Sequence, residues 1–271
     1  MRRTLSRNES RIVLDLEWRG RKTVSPAEIR SMLRCSDGYA RFMAHRLARK
    51  GWLERLRPGL YQFIPAERGR EAVADTNPLA AGANLVPRYF FSFGTACTHH
   101  GLTEQVLSEV YLVTLERRAP RSVRGKRFVF VRVPGTRFFG FTDASVLGTV
   151  VKMATPERAL LDALDRPLYS GGIGEVSRIV ARASTRVSWK DLLALARRFG
   201  ESALVQRLGY LLEMNRARVP AGVVASLRKL MRPESKVPLG PRGRWGLHGS
   251  LSKRWNLIEN VPRAVLVGRG R

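Results

Sequence analysis

The pattern of residues 25–64 constrains the fold more than any other feature of this sequence. Ser25-Pro26-Ala27-Glu28 opens a helix: Ser25 can accept from the N3 amide, Pro26 sits where no amide is missed, and Glu28 can reach back. That helix continues through Ile29, Met32 and Leu33, and a short turn at Arg34-Cys35 leads to Ser36 and Asp37, either of which can cap the next one. The next helix is predicted from Gly38 to about Lys50, with Gly51 in the left-handed position past its end. Two helices joined by so short a turn make a helix-turn-helix. Trp52–Leu56 and Leu60–Ile64 then read as strands around the turn Arg57-Pro58-Gly59. An imperfect first helix over Arg11–Arg19, stopping at Gly20, completes the order helix, helix, helix, hairpin, which is that of a winged helix.

On a helical wheel of the third helix, Ala40, Met43, Ala44 and Leu47 share one face and Tyr39, Arg41, Phe42, His45, Arg46 and Arg49 the other. A winged helix inserts the N-terminal half of this helix into the DNA major groove and lays its wing over the adjacent phosphates or minor groove. The expected DNA-binding residues are therefore Ser36, Tyr39, Arg41, Phe42, His45, Arg46 and Arg49 on the helix, with Arg55 and Arg57 on the wing. Arg41 and His45 are the base-edge candidates, since arginine can bridge guanine O6 and N7, and Tyr39 or Phe42 can pack on a thymine methyl.

Composition supports a polyanionic partner. The 271 residues hold 49 Lys and Arg against 22 Asp and Glu, a formal charge of +27, and the basic residues are scattered along the chain. Nucleic acid is the first expectation and an anionic membrane surface the second, because each neutralised phosphate releases counterions. With 44% apolar residues the chain can bury a core, and no apolar run approaches the length that spans a bilayer. Met1-Arg2-Arg3-Thr4 has no apolar signal core behind its charges, so a soluble, cytoplasmic protein is expected. Cys35 and Cys97 lie too far apart for paired metal-ligand spacing.

Four regions are predicted: a winged helix-turn-helix over 1–65, a linker over 66–77, an α/β domain over 78–232 and a Pro/Gly/Arg-rich extension over 233–271. Within the α/β domain, Tyr89–Ser92, Val110–Thr114, Arg127–Val133 and Val150–Ala154 suit strands of a mixed sheet. Helical periodicity follows near 156–165, 173–183, 189–199, 202–214 and 221–230. The expected fold class is α+β, or mixed α/β, helix-rich towards its end.

From Gly38-Tyr39-Ala40-Arg41 through Gly51-Trp52-Leu53-Glu54-Arg55-Leu56-Arg57-Pro58-Gly59-Leu60-Tyr61, the sequence resembles the winged-helix part of the AbiEi antitoxin family of transcriptional regulators. Further landmarks similar to that family are Tyr89-Phe90-Phe91-Ser92, Ala96-Cys97-Thr98-His99-His100-Gly101-Leu102-Thr103-Glu104-Gln105, Ala154-Thr155-Pro156-Glu157-Arg158-Ala159-Leu160-Leu161-Asp162, Gly171-Gly172-Ile173 and Arg207–Glu213. The resemblance implies a DNA-binding domain that represses its own operon at inverted repeats. It also implies an antitoxin domain that counteracts a nucleotidyltransferase-like AbiEii toxin without a stable complex. An inverted repeat would engage two subunits, so a homodimer on DNA is among the expected partners.

Several motifs look chemical but read better as architecture. Thr155-Pro156-Glu157-Arg158 is a capped helix entrance, with Arg158 four residues before Asp162. Adjacent His99-His100 point apart on a helix and suit a helix C-terminus better than a metal. Gly171-Gly172-Ile173-Gly174 lacks the lysine and hydroxyl of a phosphate loop, and Ser188-Trp189-Lys190-Asp191 opens a helix. Arg178, Arg182, Arg197, Arg198 and Arg207 form a candidate second basic surface for DNA or RNA. No catalytic residue, metal or cofactor is expected. The alternative classes are a metal-dependent nuclease, which needs only two or three carboxylates, and an RNA-binding protein, which the charge fits equally well.

Overall fold

The computed structural model describes residues 4–66, 78–123, 125–147, 149–232 and 234–267. Apart from Ala66, the expected linker lies outside the described residues, as do the last four residues of the tail. The chain forms two compact units, Met1–Pro87 and Arg88–Arg271. The division falls after α4 (Pro78–Ala83), so this short helix belongs to the first unit and not to the α/β domain expected from residue 78.

The first unit begins with α1 (Arg7–Trp18), entered through Ser6, whose amide donates to the Glu9 carboxylate at 2.6 Å. After β1 (Thr23–Val24), α2 (Pro26–Leu33) carries the expected capping box. The Glu28 amide donates to Ser25 Oγ at 3.2 Å and the Ser25 amide to Glu28 Oε2 at 2.7 Å. Arg34 ends it in the left-handed region, at φ 52°, and Ser36 caps α3 (Asp37–Arg49) by accepting from the Tyr39 amide at 3.3 Å. The hairpin is β2 (Leu53–Arg57) and β3 (Leu60–Phe63), with Gly59 at φ 76° in the turn. β1 adds an antiparallel third strand, giving the order β1-β3-β2. Two residues are too few for alternation to announce, so β1 has no signature in the sequence.

The core of this unit joins Ile12, Val13 and Leu16 of α1, Ile29 of α2, the Ala40, Met43, Ala44 and Leu47 face of α3, and Trp52, Leu53, Tyr61 and Phe63 of the hairpin. Each fully buried Leu or Ile is worth about 1.5–3 kcal/mol relative to exposure. This packing fixes the face that α3 turns outward.

The second unit is built on a six-stranded mixed sheet in the order β6-β7-β5-β4-β9-β8. Its strands are β4 (Tyr89–Phe91), β5 (Glu109–Thr114), β6 (Arg121–Val123), β7 (Lys126–Arg132), β8 (Phe141–Val146) and β9 (Thr149–Ala154). The pairs β5/β7 and β4/β9 are parallel and the others antiparallel. α5 (Phe93–His99) follows β4, and α6 (Pro156–Asp165), α7 (Ile173–Ala183), α8 (Trp189–Phe199), α9 (Ser202–Met214) and α10 (Val223–Lys229) follow β9. The mixed α+β class and a helix-rich second half are what the sequence implies.

Several family-like landmarks meet inside this unit. Arg158 is fully buried; its Nε donates to Asp162 Oδ2 at 2.9 Å and its Nη1 to the Phe139 carbonyl at 3.1 Å. Ser92 Oγ donates to the same Asp162 oxygen at 2.6 Å, and the rings of Phe90, Phe139 and Phe199 surround the guanidinium at 4.7–5.4 Å. Charge, hydrogen bonding and cation–π contact offset the cost of burial, although Nη2 has no hydrogen-bond partner among the described residues. Thr103 Oγ1 likewise donates to buried Glu175, and Gln105 fills the space where a side chain on Gly171 would stand.

The expected C-terminal extension is instead part of the second unit. Residues 234–267 contribute β10 (Val237–Pro238), α11 (Arg242–Trp245), β11 (Ser250–Ser252), β12 (Leu257–Glu259) and α12 (Arg263–Val267). Trp255 is fully buried against Gly209, where any Cβ would overlap the indole, and its Nε1 donates to Glu213 at 2.8 Å. Asn260 ties Gly240 and Gly246 together, and α12 packs on α7. A low-periodicity, Gly-rich tail can thus be core when one large aromatic anchors it.

Candidate nucleic-acid interface

The site is built on α3. Burial of Ala40, Met43, Ala44 and Leu47 leaves Tyr39, Arg41, Phe42, His45 and Arg49 exposed, as the helical period dictates. Phe42 is 53% exposed, unusual for so large an apolar ring, and the Tyr39 ring lies 6.1 Å from it. His45 packs edge-on against Tyr61 of β3 at 6.2 Å, so the wing side of the hairpin orients its ring. Arg41 and Arg49 are exposed and make no ion pair among the described residues, which leaves both guanidinium groups able to meet phosphate or a base edge. Arg55 and Arg57 of β2 are also exposed and unpaired among the described residues, on either side of the bulge that bends the wing.

Two residues of the expected set have structural duties. Ser36 spends its hydroxyl on the Tyr39 amide, and the half-exposed Arg46 pairs with α1: its Nε lies 3.0 Å from Oε1 of Glu9. Glu9 is fully buried and also takes Lys50 Nζ at 2.6 Å. Burial by itself raises the carboxyl's proton affinity, but the bonds from Lys50 and Ser6 outweigh it and hold Glu9 below the usual carboxylate value. This cluster seats α3 on α1. Sequence reasoning missed Asn8, whose Nδ2 donates to the Tyr39 hydroxyl at 3.1 Å and brings the start of α1 to the start of α3.

The second basic surface does not assemble as expected. Arg178 pairs with Glu175 at 2.6 Å and Arg182 with Glu104 at 2.9 Å. Arg198 lies over the Phe139 ring at 4.0 Å, and Arg197 is exposed. Arg207 is an internal clamp: it donates to the carbonyls of Leu164 and Pro238 at 3.0 and 3.2 Å, and burial pulls its proton affinity down. Gly171 and Gly172, at φ 83° and 89°, line a cleft of about 160 Å³ with Arg178, Arg244 and Trp245, but Glu175 already places a carboxylate in the first turn of α7. His100 Nε2 lies 2.7 Å from the Ala154 carbonyl, at the end of α5. Among the described residues no cluster of three or more His, Cys, Asp or Glu could hold a metal, and no helix is long and apolar enough to cross a membrane.

An exposed aromatic and basic face on α3 followed by a basic hairpin is the arrangement on which comparison with known proteins bears. Residues 11–64 match the family of AbiEi antitoxin transcriptional regulators. The AbiEi match runs from within α1 to the end of the hairpin, and so includes every expected DNA contact on α3 and the hairpin. The landmarks of the second unit lie beyond it. No curated protein matches the chain significantly. Among solved structures, the fold is similar to the crystal structure of the RV2827C protein from Mycobacterium tuberculosis, with a TM-score of 0.71 over 97% of this chain and 94% of that one. At 17% identity that likeness speaks for the fold alone.

Proposed function

We propose that this protein is a sequence-specific, DNA-binding autorepressor and antitoxin that acts in the cytoplasm without catalysis of its own. The observation that carries the reading is the outward face of α3, where Arg41, Arg49, Tyr39 and Phe42 are presented to solvent next to Arg55 and Arg57 of the wing, which make no ion pair among the described residues. The AbiEi match over the same residues supports it. In this reading Arg41 and His45 read base edges, Tyr39 and Phe42 pack on thymine methyls, and Arg49, Arg55 and Arg57 neutralise phosphates. Arg46 and Ser36 act indirectly by holding α3. The operator is an inverted repeat in the protein's own promoter, filled by two copies. The second unit supplies the antitoxin function against a nucleotidyltransferase-like toxin, without a stable complex between them.

The test is fluorescence anisotropy with the promoter duplex of the protein's own gene and a scrambled duplex, each at two salt concentrations. Preference for the promoter that persists at the higher salt is expected. Equal binding that collapses steeply with salt would reduce the protein to a basic surface on phosphate and end the regulator reading.

A further inference from the structure

We infer that the first turn of α1 belongs to the DNA interface, where Asn8 holds the Tyr39 hydroxyl so that it donates to a backbone phosphate. The inference rests on the reading of α3 as the helix that enters DNA, and it adds a second helix to the contact. The observation behind it is one bond between two exposed side chains: Asn8 Nδ2 donates to the Tyr39 hydroxyl oxygen at 3.1 Å. Tyr39 stands in the first turn of α3, with its ring exposed beside Phe42. The two ends of this side chain therefore have different surroundings. The ring lies along the outward face of α3, and the hydroxyl is drawn to the start of α1.

A phenol both accepts and donates. With Asn8 donating to it, the Tyr39 oxygen keeps its own proton free, and no acceptor takes that proton among the described residues. The free charges around this pair are cationic. Arg7 and Arg11 are exposed, border one open hollow with Asn8, and make no ion pair among the described residues. The carboxylates of the same elements are occupied. Glu9 is buried under Lys50 and Arg46, Asp15 pairs with Arg19 at 2.9 Å and Asp37 with Arg30 at 3.2 Å. A free hydroxyl proton beside two unpaired arginines fits a phosphodiester, whose charged oxygens only accept, better than a base edge with its mixed donors and acceptors.

Asn8 is thus a positioning residue: it fixes where the hydroxyl points and leaves the phosphate bond to Tyr39. Because the Asn8–Tyr39 bond exists in the free protein, the tyrosine is ordered before DNA arrives and loses less freedom on binding. A phosphate contact at the start of α3 carries no sequence information itself, but it sets the register in which Arg41 and His45 meet the bases.

Anisotropy of the full-length chain on the promoter and scrambled duplexes, at several salt concentrations, tests it. Tyr39→Phe should weaken binding to both duplexes alike, by about tenfold, and leave the slope of log K against log salt as it was, because no charge is removed. Arg7→Ala and Arg11→Ala should each lower that slope by about 1. Asn8→Ala should reproduce part of the Tyr39→Phe loss and add nothing in the Tyr39→Phe background, a coupling that a merely structural role would not produce. Asn8→Asp should bind worse than Asn8→Ala, since a carboxylate takes the phenolic proton and turns a negative charge on the phosphate. All four side chains are exposed, so the melting of the variants should match that of the parent. Unchanged affinity in Tyr39→Phe overturns the inference, as do losses at Asn8 and Tyr39 that simply add. A Tyr39→Phe loss confined to the promoter also overturns it, by making the hydroxyl a base contact. A parent that treats both duplexes alike while Tyr39→Phe weakens both would refute the regulator reading and uphold the phosphate contact.

Discussion

Gly38 occupies the first turn of α3, a helical position where glycine costs about 1 kcal/mol relative to alanine. Among the described residues nothing lies within 4 Å of the point where its Cβ would stand, so their packing does not demand the missing side chain. On the proposed interface the same vacancy lets the helix end approach a groove wall closely, between Tyr39 and Arg41 and beside the start of α1. Gly38→Leu should therefore raise the melting temperature by a few degrees and weaken promoter binding at least about tenfold. Thermal denaturation and anisotropy on one preparation would read both. A variant that melts higher and binds as before would take the start of α3 out of the interface. Arg158 is the contrasting case, a charged residue whose position in Thr155-Pro156-Glu157-Arg158 looks chemical. Its pairing with Asp162 follows from helical spacing, but its enclosure by Phe90, Phe139 and Phe199 comes from three separate parts of the chain.

At the scale of elements, α1 and α3 are held together by Glu9 with Lys50 and Arg46, and that clamp has a pH signature. A carboxyl whose folded value is depressed stabilises the fold above its unfolded value near 4.5 and loses that contribution as pH falls through its lower folded value. The first unit should thus weaken below about pH 4.5, and Glu9→Gln should flatten that acid limb while lowering stability at neutral pH. Urea unfolding at stepped pH would check it; parallel acid limbs in parent and variant would locate the sensitivity in another carboxylate. The same clamp marks how far the sequence could be read. The buried face of α3 was legible because it depends only on the period of one helix, and the cap at Ser25 because it is completed within four residues. The pairing of Arg46 with Glu9 was not, since its partner belongs to another helix, nor was the burial of Arg207 between two carbonyls. β6 and β8 escaped notice because edge strands such as Arg121-Ser122-Val123 need bury no apolar row, and the tail because Trp255 finds Gly209 only in three dimensions.

At the scale of the whole molecule, a charge of +27 guarantees attraction to any nucleic acid, so affinity alone says little about function. What separates a regulator from a merely basic protein is how the attraction divides between contacts that know the sequence and contacts that do not. On the proposed interface Arg57 sits on the wing and faces phosphate, whereas Arg41 projects from the N-terminal half of α3 towards base edges. Arg57→Ala should weaken binding to promoter and scrambled duplexes alike and lower the slope of log K against log salt by about 1. Arg41→Ala should lower affinity for the promoter by about 1–3 kcal/mol at one base position and leave the scrambled duplex less affected. Titrations of both variants against a panel of single-base promoter changes, at several salt concentrations, separate the two roles. If Arg41→Ala left the panel's ranking intact and changed only the slope, both arginines would be phosphate contacts, and the sequence-reading face would lie on His45, Tyr39 and Phe42 or away from α3 altogether.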